Sequence, residues 1–154
     1  MLYYLPLLIL FALGGKLAII DYQTQRLPNR IVAQLTVLQL VALGYLGLEQ
    51  PEKFRIALVT AIATLVTYSL LFLISRGSLG MGDVKFSFPL GLTIGWYAPS
   101  DWLLTVLLTF VLAGLVSFAE VVSGRKTWKS KFAFGPYMYL TAILVIAIKL
   151  ASID

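Results

Sequence analysis

Six apolar runs divide this chain, at residues 2–20, 31–48, 56–75, 86–98, 102–122 and 132–150. Five have about the 20 residues that a helix needs to cross hydrocarbon. Runs repeated this often cannot all be hidden inside a globule of 154 residues, so the solvent for most of this surface is a bilayer. Composition agrees, with 60% of residues hydrophobic and only 12% charged, against about 25% charged in a usual soluble domain. In hydrocarbon the backbone must satisfy its own hydrogen bonds, and a helix does so within one segment. The expected fold is all-α, a polytopic bundle of six transmembrane helices.

The fourth run is short, with 13 residues that include Pro89, Gly91 and Gly95. At about 1.5 Å per residue it reaches about 20 Å, so it must thin the bilayer, recruit Val84 and Lys85, or be partly re-entrant. The first run has the length of a signal-peptide core with small residues at 12–15, but no Lys or Arg precedes it, and it is read as a retained helix. The gaps are short, and no repeat, low-complexity tract or linker is visible, so residues 1–154 are expected to form one domain.

Lys and Arg mark the orientation. Lys16, Arg26, Arg30, Arg76, Lys85, Arg125, Lys126, Lys129 and Lys131 lie at or just inside one edge, and only Lys53, Arg55 and Lys149 at the other. Positive charge is retained in the cytoplasm, which puts both termini outside and the gaps 21–30, 76–85 and 123–131 inside. Tyr3, Tyr4, Trp96, Tyr97 and Trp102 then fall at the outer interface, with Tyr22 and Trp128 at the inner one. The net charge of +5 thus encodes topology, and no basic face with interleaved aromatics marks a nucleic-acid partner.

The chain has no cysteine and no histidine. Disulfides, thiolate metal sites, a cysteine nucleophile and the usual neutral-pH base are excluded. No metal and no organic cofactor is expected. Of the seven acids, Glu49, Glu52, Asp101 and Asp154 lie in outer gaps or at the terminus, as solvated loop charges. Asp21 and Asp83 stand at one edge of the hydrocarbon, Asp21 closing the first run and Asp83 preceding the fourth. Carboxylates at that depth mark function, pairing or a water-filled cavity.

Held together, the two could share a proton, one serving as base towards water and the other as acid. Alternatively each forms an ordinary interfacial ion pair, Asp21 with Arg26 or Lys16 and Asp83 with Lys85. Gly77, Gly80 and Gly82 precede Asp83; they allow positive φ or the close approach of another chain, or simply a flexible turn. Acids that bind protons or cations in a small transporter are the rival reading, although both lie at one edge and no inverted pair of broken helices is visible.

Gly80-Met81-Gly82-Asp83-Val84-Lys85 resembles the GxGD signature of membrane aspartic proteases, in the form seen in type IV prepilin peptidases and archaeal preflagellin peptidases. Asp21, followed by Gln25-Arg26-Leu27-Pro28-Asn29, resembles that family's first-aspartate motif, and Phe134-Gly135-Pro136-Tyr137 its FGP turn. The likeness spans the chain. It implies an aspartic endopeptidase of a prokaryotic cell membrane that removes the basic leader of prepilin-like proteins at the cytoplasmic face, with Asp21 and Asp83 as the catalytic pair. Many members carry a further amino-terminal region with four cysteines, associated with N-methylation. This cysteine-free chain resembles the short peptidase-only forms, with trimming and no methylation expected. Ala133 and Phe86 stand where proline and leucine are frequent in the family.

Around that pair, Gly80 and Gly82 are expected to shape the site. Lys85 could neutralise the acids, bind a substrate carboxylate or snorkel to lipid phosphate. Glu120, one turn inside the same edge, is read as a snorkelling or paired acid, or as a contact for a basic leader. Asn29 is expected to cap a helix beginning at Arg30, Gly135-Pro136 to form a helix entry, and Ser and Thr within the runs to bond backbone or a neighbouring helix.

Overall fold

A computed structural model describes residues 2–75, 79–125, 127 and 132–152. Arg76, Gly77, Lys126, Trp128, Lys129, Lys131 and Asp154, which entered the charge, turn and interface expectations, lie outside the described residues. Those described form helices and no strand. The helices are α1 (Leu2–Thr24), α2 (Asn29–Gly47), α3 (Pro51–Ile74), α4 (Met81–Tyr97), α5 (Trp102–Val122) and α6 (Gly135–Ala151). By length and apolarity, α1, α2, α3 and the stretch Pro99–Val122 can each cross a membrane, and α6 is a shorter apolar helix. Large apolar side chains such as Phe11, Val41, Val59, Leu115 and Ile148 stand exposed on α1, α2, α3, α5 and α6. Water would penalise such a surface and lipid does not. The chain is a multi-pass membrane protein.

The short fourth run resolves by recruitment. α4 begins at Met81, takes in Asp83, Val84 and Lys85, and still spans only 17 residues, or about 25 Å. It tolerates this because it faces protein. Every residue from Phe86 to Tyr97 except half-buried Phe88 is buried, and Met81 is its only exposed large hydrophobic. The glycines that interrupt its apolar pattern have a packing cause. A Cβ on Gly91 would lie 2.8 Å from Ala61 Cα, and one on Gly95 would lie 2.7 Å from Ala57 Cα, both on α3. Small residues four apart on each helix let two backbones touch, and in lipid such van der Waals contact is what holds helices together. α3 accordingly packs along the length of α4. A bulky residue at Gly95 would wedge the pair apart.

Buried hydroxyls are absorbed within the bundle. Thr64 donates to Thr60 O at 2.7 Å, Thr93 to Pro89 O at 3.0 Å, and the Thr109 and Thr141 hydroxyls meet at 2.6 Å between α5 and α6. None is left as a nucleophile with a base. At one end of the bundle, Tyr97 donates its hydroxyl to Tyr3 O, and Lys53 lies 5.6 Å from the Tyr3 ring centre and 5.9 Å from that of Trp96. Trp96 and Tyr97, expected at the outer interface, are buried among protein neighbours, because this end of α4 is enclosed by them.

Candidate active site

The opposite end gathers the tail of α1, the starts of α2 and α4, and the start of α6. Asp21 lies in the last turn of α1 and Asp83 in the first turn of α4. Both are buried, with 4% and 7% of their surface exposed, and both border one open cavity of about 370 Å³. Gln25, Arg26, Leu27, Asn29, Gly80, Gly82 and Lys85 line the rest of it together with Met81. The long loop of sequence between the two acids is closed by α2 and α3, which run out and back and return the chain to the same end.

Each acid is held by a glycine amide. Gly80 N–H donates to Asp83 Oδ2 at 3.0 Å, and Gly135 N–H donates to Asp21 Oδ2 at 2.9 Å. Both amides stand where a helix begins, where free N–H groups and the helix dipole favour negative charge. The Gly135 amide is aimed by an aromatic cluster. Phe134 packs 4.8 Å from Phe110 of α5 and 6.3 Å from Tyr68 of α3, measured between ring centres. A Cβ on Gly135 would sit 2.9 Å from Asp21 Oδ2, so only glycine lets backbone and carboxylate meet there. Gly135 was read as a helix entry, which it is, but its contact with Asp21 was missed. The Phe-Gly-Pro pattern was the one available signal.

The ion-pair alternative is not what the geometry favours. Among the described residues neither Asp21 nor Asp83 is within salt-bridge distance of a cation, although basic residues are near. Lys85 donates instead to Asn29 Oδ1 at 3.0 Å. That bond also corrects the expected cap. α2 starts at Asn29 itself with Pro28 before it, and the Asn29 side chain caps nothing. Asp83 Oδ1 is buried and accepts no hydrogen bond within the protein, which leaves its lone pairs for a proton or a water molecule.

Gly80 and Gly82 were read as room for another chain, and much of that room is already taken. A Cβ on Gly82 would meet Leu27 Cβ at 2.9 Å, and one on Gly80 would meet Asp83 Oδ2 at 2.9 Å. Neither has positive φ. They bring the α1–α2 connection onto α4 and let Asp83 fold back on its own helix start. Glu120 lies elsewhere, in a smaller cavity of about 220 Å³ with Tyr22, Phe132, Ala133 and Tyr137, which shares only Gln25 with the first. No group of three His, Cys, Asp or Glu that could hold a metal ion occurs among the described residues.

The molecule is thus a lipid-facing helical bundle with two buried carboxylates bordering one cavity at its edge. Residues 6–118 match the family model of the type IV leader peptidases. The chain belongs to the type IV leader peptidase family and is a peptidase, which sets aside the reading of the chain as a transporter. No curated protein and no solved structure gives a match.

Proposed function

We propose that this membrane peptidase is an aspartic endopeptidase that removes the leader from prepilin-like precursors, using Asp21 and Asp83. The observation that carries this reading is the pair itself: two buried acids beside one cavity, each held by a single glycine amide, with no cation on either and Asp83 Oδ1 unengaged. One carboxylate takes a proton from water as its oxygen bonds to the scissile carbonyl carbon. The other, protonated, gives its proton to the carbonyl oxygen. The first acid, now protonated, passes that proton to the amide nitrogen while the second takes one back from a hydroxyl of the tetrahedral carbon, so the C–N bond breaks and releases a leader carboxylate and a new amino terminus. Gly135 and Gly80 hold the acids at the required angles, and Lys85 with Asn29 forms the rim where substrate enters.

The distribution of Lys and Arg supports a cytoplasmic position for this end in a prokaryotic cell membrane, with both termini outside. Residues 1–154 act as one membrane-embedded domain. Trimming proceeds without methyl transfer, since these residues hold no cysteine and no gap large enough for a methyl-donor site. Glu120, in the neighbouring cavity, stands apart from the chemistry.

The test is incubation of the purified protein in detergent with a prepilin-like precursor, followed by intact-mass analysis. The expected product is shorter by the leader and carries no added methyl group. An uncut precursor, or a cut product bearing a methyl group added by this protein alone, would overturn the corresponding part of the reading.

A further inference from the structure

A second opening adjoins the candidate active site. It is a cavity of about 560 Å³ lined by Asn29, Val32, Ala33, Thr36 and Val37 of α2, Leu65 of α3, and Lys85 and Phe88 of α4. The α2 residues follow one another at steps of three and four, so they form one continuous stripe along the helix. α2 and α3 both pack on α4 but touch each other sparsely, which leaves a cleft between them with α4 as its floor. Ala33 is exposed, and Val37 keeps 58% of its surface open. Asn29 and Lys85 line this cleft and the Asp21–Asp83 cavity alike. The two openings therefore meet at the Lys85–Asn29 hydrogen bond.

We infer that this cleft seats the apolar helix of the substrate, with the chain crossing the Lys85–Asn29 junction to present its scissile bond to Asp21 and Asp83; the inference rests on the peptidase reading above. Continuity with the acid cavity selects the occupant. A segment cut at the edge of hydrocarbon is joined directly to its apolar part, and that part must leave the acids along a path lined for hydrocarbon. Among the described residues, this cleft shares Asn29 and Lys85 with the cavity. Its wall of Ala, Val and Thr suits helix contact in lipid, where small side chains permit close approach. From Asn29 to Val37 it runs about 12 Å along α2, so Val37 stands beside a substrate residue about eight positions beyond the cut.

The absence of native cysteine makes the test direct. In an Asp83→Asn background, Val37→Cys or Ala33→Cys is oxidised in the presence of a prepilin-like precursor carrying one cysteine about eight residues beyond its cleavage point. Leu115→Cys, on an exposed face of α5, is the comparison. The expected result is a disulfide-linked product at Val37→Cys and Ala33→Cys at least about tenfold stronger than at Leu115→Cys, as close approach requires. Equal capture at Leu115→Cys, or capture there alone, overturns the proposal. Separately, Val37→Trp in the active protein should raise KM for the precursor about tenfold, the effect of one misfit side chain at a packed contact, with kcat kept. A soluble peptide holding the leader and cut site without the apolar segment should be cleaved as by the parent. An unchanged KM for the precursor would mean that the cleft holds only lipid, and the proposal falls. If instead the Asp83→Asn protein still cuts, the aspartic reading fails, while the disulfide pattern still decides the cleft.

Discussion

The two ends of this bundle treat their acids in opposite ways. At the end where Tyr97 meets Tyr3, Glu52 pairs with Arg55 at 2.8 Å, and Asp101 with Lys149 at 3.4 Å, with Lys149 also reaching the Ser100 hydroxyl at 3.3 Å. At the other end Asp21 and Asp83 are buried, and each is held by one glycine N–H. Cations were at hand there, since Arg26 and Lys85 line the same cavity. Proximity in sequence therefore does not decide pairing. Of those pairs, Glu52–Arg55 is exposed and Asp101–Lys149 half-exposed, and both are made by side chains that meet a cation directly. Asp21 and Asp83 are fixed by helix starts that satisfy one oxygen and leave Asp83 Oδ1 unengaged. A carboxylate neutralised by a cation is a poor base, and one held by a single amide stays competent.

The sharpest way to break this contrast is to remove one carboxylate of the Asp21–Asp83 pair. Asp21→Asn and Asp83→Asn should each lower cleavage by at least about a thousandfold while the protein stays folded and inserted, because the amide keeps the shape and cannot move the proton. The double variant should be no slower than either single one, as members of one catalytic unit are not additive. Precursor cleavage followed by gel or mass spectrometry decides both points. Substantial turnover in either single variant would dissolve the distinction between the two ends.

A subtler change leaves both acids in place and moves one. Gly135→Ala would put a methyl group 2.9 Å from Asp21 Oδ2, and the carboxylate must shift. A displacement near 1 Å is expected to lower kcat by about 10–100-fold, with insertion unaffected. Gly114→Ala is the matching control, because nothing lies within 4 Å of a Cβ there, and its cleavage rate should equal the parent's. Equal rates in the two variants would show that the amide of Gly135 positions nothing.

Smaller effects sharpen the comparison from the other side. Lys85→Ala removes the donor to Asn29 and should slow cleavage only several-fold, since an exposed contact contributes about 1 kcal/mol or less. Glu120→Gln should retain most activity, because its cavity shares only Gln25 with that of the two acids. Smallest of all, Lys149→Ala, at the end away from the acid cavity, should cost less than about 1 kcal/mol in thermal unfolding and leave the cleavage rate unchanged. A catalytic loss from Lys149→Ala would mean that the Asp101–Lys149 network also governs the Asp21–Asp83 site.

Much of this molecule was readable from the order of its residues. Apolar run length predicted the helices, because lipid leaves the backbone no other way to satisfy itself. Asp21 and Asp83 could be singled out by type and neighbours, and Phe134-Gly135-Pro136 by its resemblance to a family motif. The family assignment, over residues 6–118, agrees with the resemblance that the two aspartate motifs carry. What the sequence could not decide was every relation between residues distant along the chain. Pro89, Gly91 and Gly95 read as flaws in a spanning helix, and only the approach of Ala57 and Ala61 turns the two glycines into contacts. Asn29 had the chemistry of a helix cap, but it was Lys85 that claimed its oxygen. Gly82 offered space, and Leu27 filled it. Sequence determined the solvent, the helices and the chemical groups, since these follow from local hydrophobicity and side-chain type. Which acid meets which amide, and which faces stay open, depends on how six rods pack, and that is settled by contacts a few ångströms wide between segments far apart in the chain.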